Sequence, residues 1–210
     1  MPDLVSTRRS LHAIAELLLA GPQHAHCGTI KLTVTADGIG TTRAPHAVLD
    51  GDRLLAGGRR ITLDGRTIED IAAEAGLDPT PLTAVYADGC GLDETHVVRI
   101  DSAAAAEITE AFRRGDAALA ALAPNAERVL WPEHFDLGIA VDEVNYGISP
   151  GDDFLAVPYA YVGPWTTEGL AGDFWNASFG AARPVGELDD LGAFFAEGRA
   201  LVGRRSELPE

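Results

Sequence analysis

His134 and Asp136 stand two residues apart in the stretch LWPEHFDLGIAVDEVNYGISPGDD, Leu130 to Asp153. Side chains alternate along an extended strand, so these two share a face. At that spacing a carboxylate can orient an imidazole and raise its basicity, for work as a general base or a metal ligand. Gly138 and Ala140 continue the same face as a floor of small residues, with Asp142 beyond them, while Phe135, Leu137, Ile139 and Val141 form the core-directed face. The same pattern also describes a core hairpin with a polar outer face, and no Gly-x-Ser-x-Gly elbow accompanies it.

Two further groups of residues have chemical potential. His24 and His26 in HAHC would share a face if extended and would make a pair of metal ligands, with Cys27 or a distant carboxylate completing the set. Tyr159 and Tyr161 lie on one face of PYAYVGPW, and Trp165, Trp175 and Asn176 sit in the irregular backbone that follows. Aromatic walls with a few polar groups are how small-molecule pockets are lined, although large aromatics also fill cores. The acidic run DEVNYGISPGDD lacks the ligand spacing of a calcium loop.

These residues need elements to hold them. TRRSLHAIAELLLAG repeats Arg8, His12 and Glu16 at four-residue spacing, opposite Leu11, Ile14 and Leu18, which predicts an amphipathic surface helix followed by a loop at GPQHAH. Ile30, Leu32 and Val34 alternate with Thr and Lys as a strand, and short strands punctuated by Asp-Gly and Gly-Gly continue to Leu63 as a meander. Thr67 opens a helix that Gly76 ends, a strand is expected at His96 to Ile100, and a helix runs from Ser102 to about Leu122, weakened by Gly115 and stopped by Pro124. Strands at Phe135 to Val141, Val144 to Ile148 and Phe154 to Val162 form a second meander. A last helix turns Leu188, Leu191, Phe194, Phe195 and Leu201 inward.

The expected fold is one α+β domain, an antiparallel sheet or sheets built from two meanders with helices on one face. TIEDIAA near Thr67 echoes ELDDLGA near Glu187, as a decayed duplication with halves 21–100 and 128–205, joined by the helix at 102–122, would leave behind.

With 210 residues the chain can bury a sizeable core. Its net charge of −16 argues against a nucleic-acid binder, because that affinity comes from Lys and Arg on phosphates. No apolar run approaches the roughly 18 residues that span a bilayer, and two unpaired-looking cysteines, Cys27 and Cys90, fit a reducing cytoplasm. The expectation for function is a small-molecule-binding protein with an aromatic-lined pocket. A metal-assisted hydrolase or isomerase using His134 and Asp136 with His24 or His26, and a structural or homodimeric interaction module, are the alternatives. No cofactor is indicated, and the chain is expected to be a monomer or homodimer.

The segments CGTIKLTVTADGIGTTRAP, FDLGIAV, PYAYVGPW and ARPVGELDDLGAFF resemble, in that order, parts of a family of uncharacterised, mostly actinobacterial proteins grouped as a domain of unknown function. The resemblance implies a cytoplasmic bacterial protein and carries no functional residue.

Overall fold

Residues 3–205 are described by the structure, a computed structural model. Ten strands form one antiparallel sheet in the order β10-β9-β8-β7-β6-β1-β2-β3-β4-β5. The first meander comprises β1 (Leu32–Thr35), β2 (Gly38–Thr41), β3 (Ala47–Asp50), β4 (Arg53–Ala56) and β5 (Arg59–Thr62). The second comprises β6 (Val129–Trp131), β7 (Asp136–Val141), β8 (Val144–Ser149), β9 (Tyr159–Pro164) and β10 (Ala181–Pro184). They join where Leu32 of β1 pairs with Leu130 of β6.

Each meander is bracketed by helices. Helix α1 (Leu4–Ile14) continues through a π-helical stretch, Ala15–Ala20, into α2 (Gly21–Cys27) ahead of β1, and α3 (Ile68–Ala75) follows β5. In the second half α4 (Ser102–Leu122) precedes β6 and α5 (Leu191–Arg205) follows β10. The order helix, five strands, helix therefore occurs twice.

Strand register puts the helices on one face. Leu130, Leu137, Ile148 and Ala160 are successive cross-strand partners, as are Ile39, Leu49, Leu54 and Ile61, and all are buried in one hydrophobic cluster that runs through both meanders. Gly115 explains how closely α4 lies on the sheet: a Cβ there would come within 2.1 Å of Ile148 Cγ1. The glycine lowers helix propensity but permits the contact, so its place in α4 is set by packing.

Three expectations are corrected. The N-terminal helix is not a surface helix, for Ala13 to Ala20 are all buried and Glu16 is only 3% exposed. Its polar residues face a strap of chain and accept that strap's amides: Thr7 from Asp101 N–H, Ser10 from Arg99 N–H, and Glu16 from Cys90 N–H. A segment without regular structure thus has its backbone satisfied by helix side chains. The strand expected at His96 to Ile100 is part of this strap and forms only an isolated bridge, Thr67 to Val97. The expected loop at GPQHAH is α2, because Pro22 occupies the first turn, where its missing N–H is tolerated. Ahead of Pro22 the helix widens, and Gly21 N–H bonds back to Glu16 O, five residues away.

Gln23 ties α2 to the first meander. Buried, it accepts from the amides of Thr42 and Arg43, both at 2.7 Å, and donates to Thr29 O and Lys31 O. Among the described residues no helix is long and apolar enough to cross a membrane.

Candidate functional site

The second meander turns its other face to an open cleft of about 1280 Å³. Register determines which residues reach it. Tyr161 of β9 pairs with Gly147 of β8, which pairs with Gly138 of β7, so two glycines lie in the row beside the tyrosine. The ring lies over Gly147, where an added Cβ would meet Tyr161 Cζ at 2.4 Å. This lets the phenol cross a whole strand and donate its O–H to Asp136 Oδ2. Burial pushes the Asp136 carboxyl above its usual range, against the opposing pull of Tyr161 and His134. Burial, then the nearby Asp136 charge, pushes the Tyr161 phenol well up, so that proton stays on oxygen at neutral pH.

Beside this pair runs an aromatic ladder. Phe179 packs edge-on against Phe154 at 5.3 Å between ring centroids, Phe154 against Tyr159 at 6.0 Å, and Tyr159 against Tyr161 at 6.4 Å. Asp152 organises the loop before β9 by accepting from the amides of Phe154 and Leu155 and from the Tyr159 hydroxyl at 2.5 Å. At the rim, Trp165 is 66% exposed and donates its indole N–H to Asn145 Oδ1. Val5 and Phe154, at 54% and 49% exposed, complete an apolar mouth.

The opposite wall is α1. His12 stacks on Phe135 at 5.5 Å with the rings 7° from parallel, and its Nε2 lies 2.6 Å from Pro132 O. A carbonyl only accepts, so Nε2 carries the proton and Nδ1 is bare. Burial lowers the His12 pKa, and the imidazole is neutral. Phe135 takes φ 52° in the turn between β6 and β7, so it precedes the strand instead of opening it as expected. Arg8 also lines the cleft, and among the described residues it makes no ion pair and its enclosed Nη1 has no hydrogen-bond partner. Gly151 makes room for it, since a Cβ there would sit 2.8 Å from that nitrogen.

His134, Asp136, Tyr159, Tyr161 and Trp165 therefore meet in one cleft. The small-residue floor expected over Gly138 is occupied by the Tyr161 hydroxyl, 3.1 Å from where a Gly138 Cβ would be. Other candidates stand elsewhere. Asp142 lies in the turn after β7, with φ 53°, and pairs with Arg199 of α5 at 2.9 Å. Asn176 clasps the N–H and C=O of Ala182, and Trp175 packs on Phe174, which stacks on Phe194.

His24 and His26 lie on α2, where a two-residue separation points side chains to different faces, so the extended-chain argument for a shared metal does not hold. Among the described residues no group of three or more His, Cys, Asp or Glu is placed to hold a metal ion.

The cleft also recruits Arg8, His12, Glu133, Cys90 and Phe154, which strand periodicity alone does not single out. Arg8 and His12 share one face of the helical pattern, and only the chain packed around that face makes it a cleft wall. Burial pushes the Cys90 thiol up to about 12, so it is not a nucleophile at neutral pH. Compared with known families, curated proteins and solved structures, the chain finds no match.

Proposed function

We propose that the protein binds a small organic molecule in the cleft between the outer face of β7–β9 and α1. The observation that carries this is the aromatic ladder from Phe179 to Tyr161, which lines the cleft under a rim that exposes Val5, Phe154 and Trp165. Among the described residues, half of the exposed large hydrophobics, three of Val5, Val85, Val97, Trp131, Phe154 and Trp165, thus gather at one concavity. Contiguous apolar surface of this kind is costly in water and marks a place where something docks.

A screen of metabolite-sized compounds by thermal shift tests the reading. Binders raise the melting temperature by mass action, and quenching of Trp165 fluorescence, lost in Trp165→Phe, places them at the rim. A broad library without a single shift would refute it. So would a concentration-dependent dimer whose formation buries Trp165, which would give the apolar rim to a second copy of the chain.

A second reading is hydrolysis or isomerisation by proton transfer. In its favour, His134 and Asp136 both line the cleft and burial raises the Asp136 pKa, as a general acid requires. Turnover of a cleft-bound compound that Asp136→Asn abolishes without loss of binding would establish it.

A further inference from the structure

The unpaired arginine is the most informative group on the cleft wall. The chain carries 32 Asp and Glu against 16 Lys and Arg, two carboxylates for every cation. In that excess Arg8 nevertheless makes no ion pair among the described residues, and one of its guanidinium nitrogens is enclosed without a hydrogen bond. A buried donor left unsatisfied is destabilising, so the arrangement calls for an explanation.

Two carboxylates of the cleft wall are otherwise engaged. Asp152, adjacent to the Gly151 on which Arg8 packs, accepts from two loop amides and the Tyr159 hydroxyl. Asp136 accepts from Tyr161. The same two bonds settle what the floor can offer a ligand. Both tyrosine hydroxyls on the ladder donate to protein carboxylates, so the rings present carbon to the cleft and hold no spare donor for a polar ligand body.

From these relationships, and resting on the binding function proposed above, we infer that the ligand is a monocarboxylate with a flat, apolar body: its carboxylate pairs with Arg8 and its body lies against Tyr159, Tyr161 and Phe154. The Arg8 nitrogens other than the enclosed Nη1 carry the charged N–H donors that a carboxylate in the cleft would meet. A dianionic phosphate fits less well, because Glu133, Asp88 and Asp153 also line the cleft and would repel the second charge.

The test compares aryl carboxylates of one, two and three rings with their primary amides and the corresponding arylmethylamines, titrated by calorimetry against the full-length protein. Benzoate, 2-naphthoate and 2-anthroate are the acid probes. The best acid is expected to bind at least about tenfold tighter than its amide. In Arg8→Gln that preference is expected to vanish while amide affinity stays within about twofold, and added salt should weaken the acid alone.

An acid no tighter than its amide, or an amine tighter than both, would overturn the role of Arg8 and leave cleft binding standing. No binding by any member of the three classes at about millimolar concentration, the weak end of specific affinity, would overturn both. The acid and amide comparison is made in the unaltered chain, so it does not depend on how well Arg8→Gln folds.

Discussion

The hydroxyl of Tyr161 on β9 donates to the carboxylate of Asp136 on β7, reaching over Gly147 of the strand between them. Gly147→Ala would place its Cβ 2.4 Å from both Tyr161 Cζ and Leu137 O, so the ring must leave and the bond to Asp136 breaks. We expect a loss of about 2–3 kcal/mol in chemical denaturation. Tyr161→Phe removes only the donor and should cost about 1–3 kcal/mol, with a smaller effect on the cleft's shape. Equal and negligible losses for both would show that the pair does not hold the floor.

Asp136 makes stability depend on pH. Its folded pKa lies above the ordinary value of 3.8, so the native state binds the proton more tightly than the unfolded chain does. Its contribution is fully present below that ordinary value and is lost as pH rises through the raised one. Asp136→Asn keeps an acceptor for Tyr161 and no charge. It should be more stable than the parent at neutral pH, with the gap closing on acidification, as followed by melting temperature between pH 4 and 8.

His12 works in the opposite direction. Burial holds its folded pKa below the ordinary 6.5, so its contribution is present above that value and is lost as pH falls through the lowered one. His12→Leu gives up the bond to Pro132 O and should be less stable at neutral pH, yet its loss of stability on acidification below 6.5 should be shallower than the parent's. Parallel curves would remove His12 as the titrating group.

Gly115 should resist replacement although it sits inside a helix. Alanine gains roughly 1 kcal/mol of helix propensity, but its Cβ would lie 2.1 Å from Ile148 Cγ1. Gly115→Ala is expected to destabilise by about 1–3 kcal/mol, and adding Ile148→Ala should recover part of that loss. A double-mutant cycle measures the coupling, which would be near zero if the contact were slack.

Gln23→Ala leaves two amides and two carbonyls without the partner that joins α2 to the first meander. A loss of about 2–4 kcal/mol is expected, as a buried polar network predicts. Urea midpoints at a constant slope would report it.

Much of the architecture can be read along the chain. Alternating Leu137 and Ile139 predict a strand face, and the Thr67 cap and Gly76 stop delimit α3, because hydrogen-bond caps and period-two patterns are local properties. The candidate site is legible in part for the same reason: Tyr159 and Tyr161 share a face by strand geometry, whereas His134 lies in the turn before β7 and reaches the cleft beside Asp136 through that turn, not through strand alternation. The last stretch before β9 is less so. Asp152 and Phe154 belong to a loop whose shape depends on a hydroxyl seven residues away.

The sequence by itself determined the central strands β7, β8 and β9 of the second meander and the alternating faces of β7 and β9, since these follow from chemistry within a few residues. The edge strand β10, the short β6 and the loop from Phe154 to Pro158, where a strand was expected, depend on pairing with distant chain. Only the tertiary structure decided that the two tyrosines, the turn carrying His134, Asp136 of β7 and the N-terminal helix share one cleft, and that His24, His26, Asp142, Trp175 and Asn176 lie outside it. The physical reason is that long-range register and covering segments, not local pattern, set what a polar residue faces. Glu16 looks solvated on a helical wheel and is buried because Cys90, seventy-four residues on, brings an amide to it.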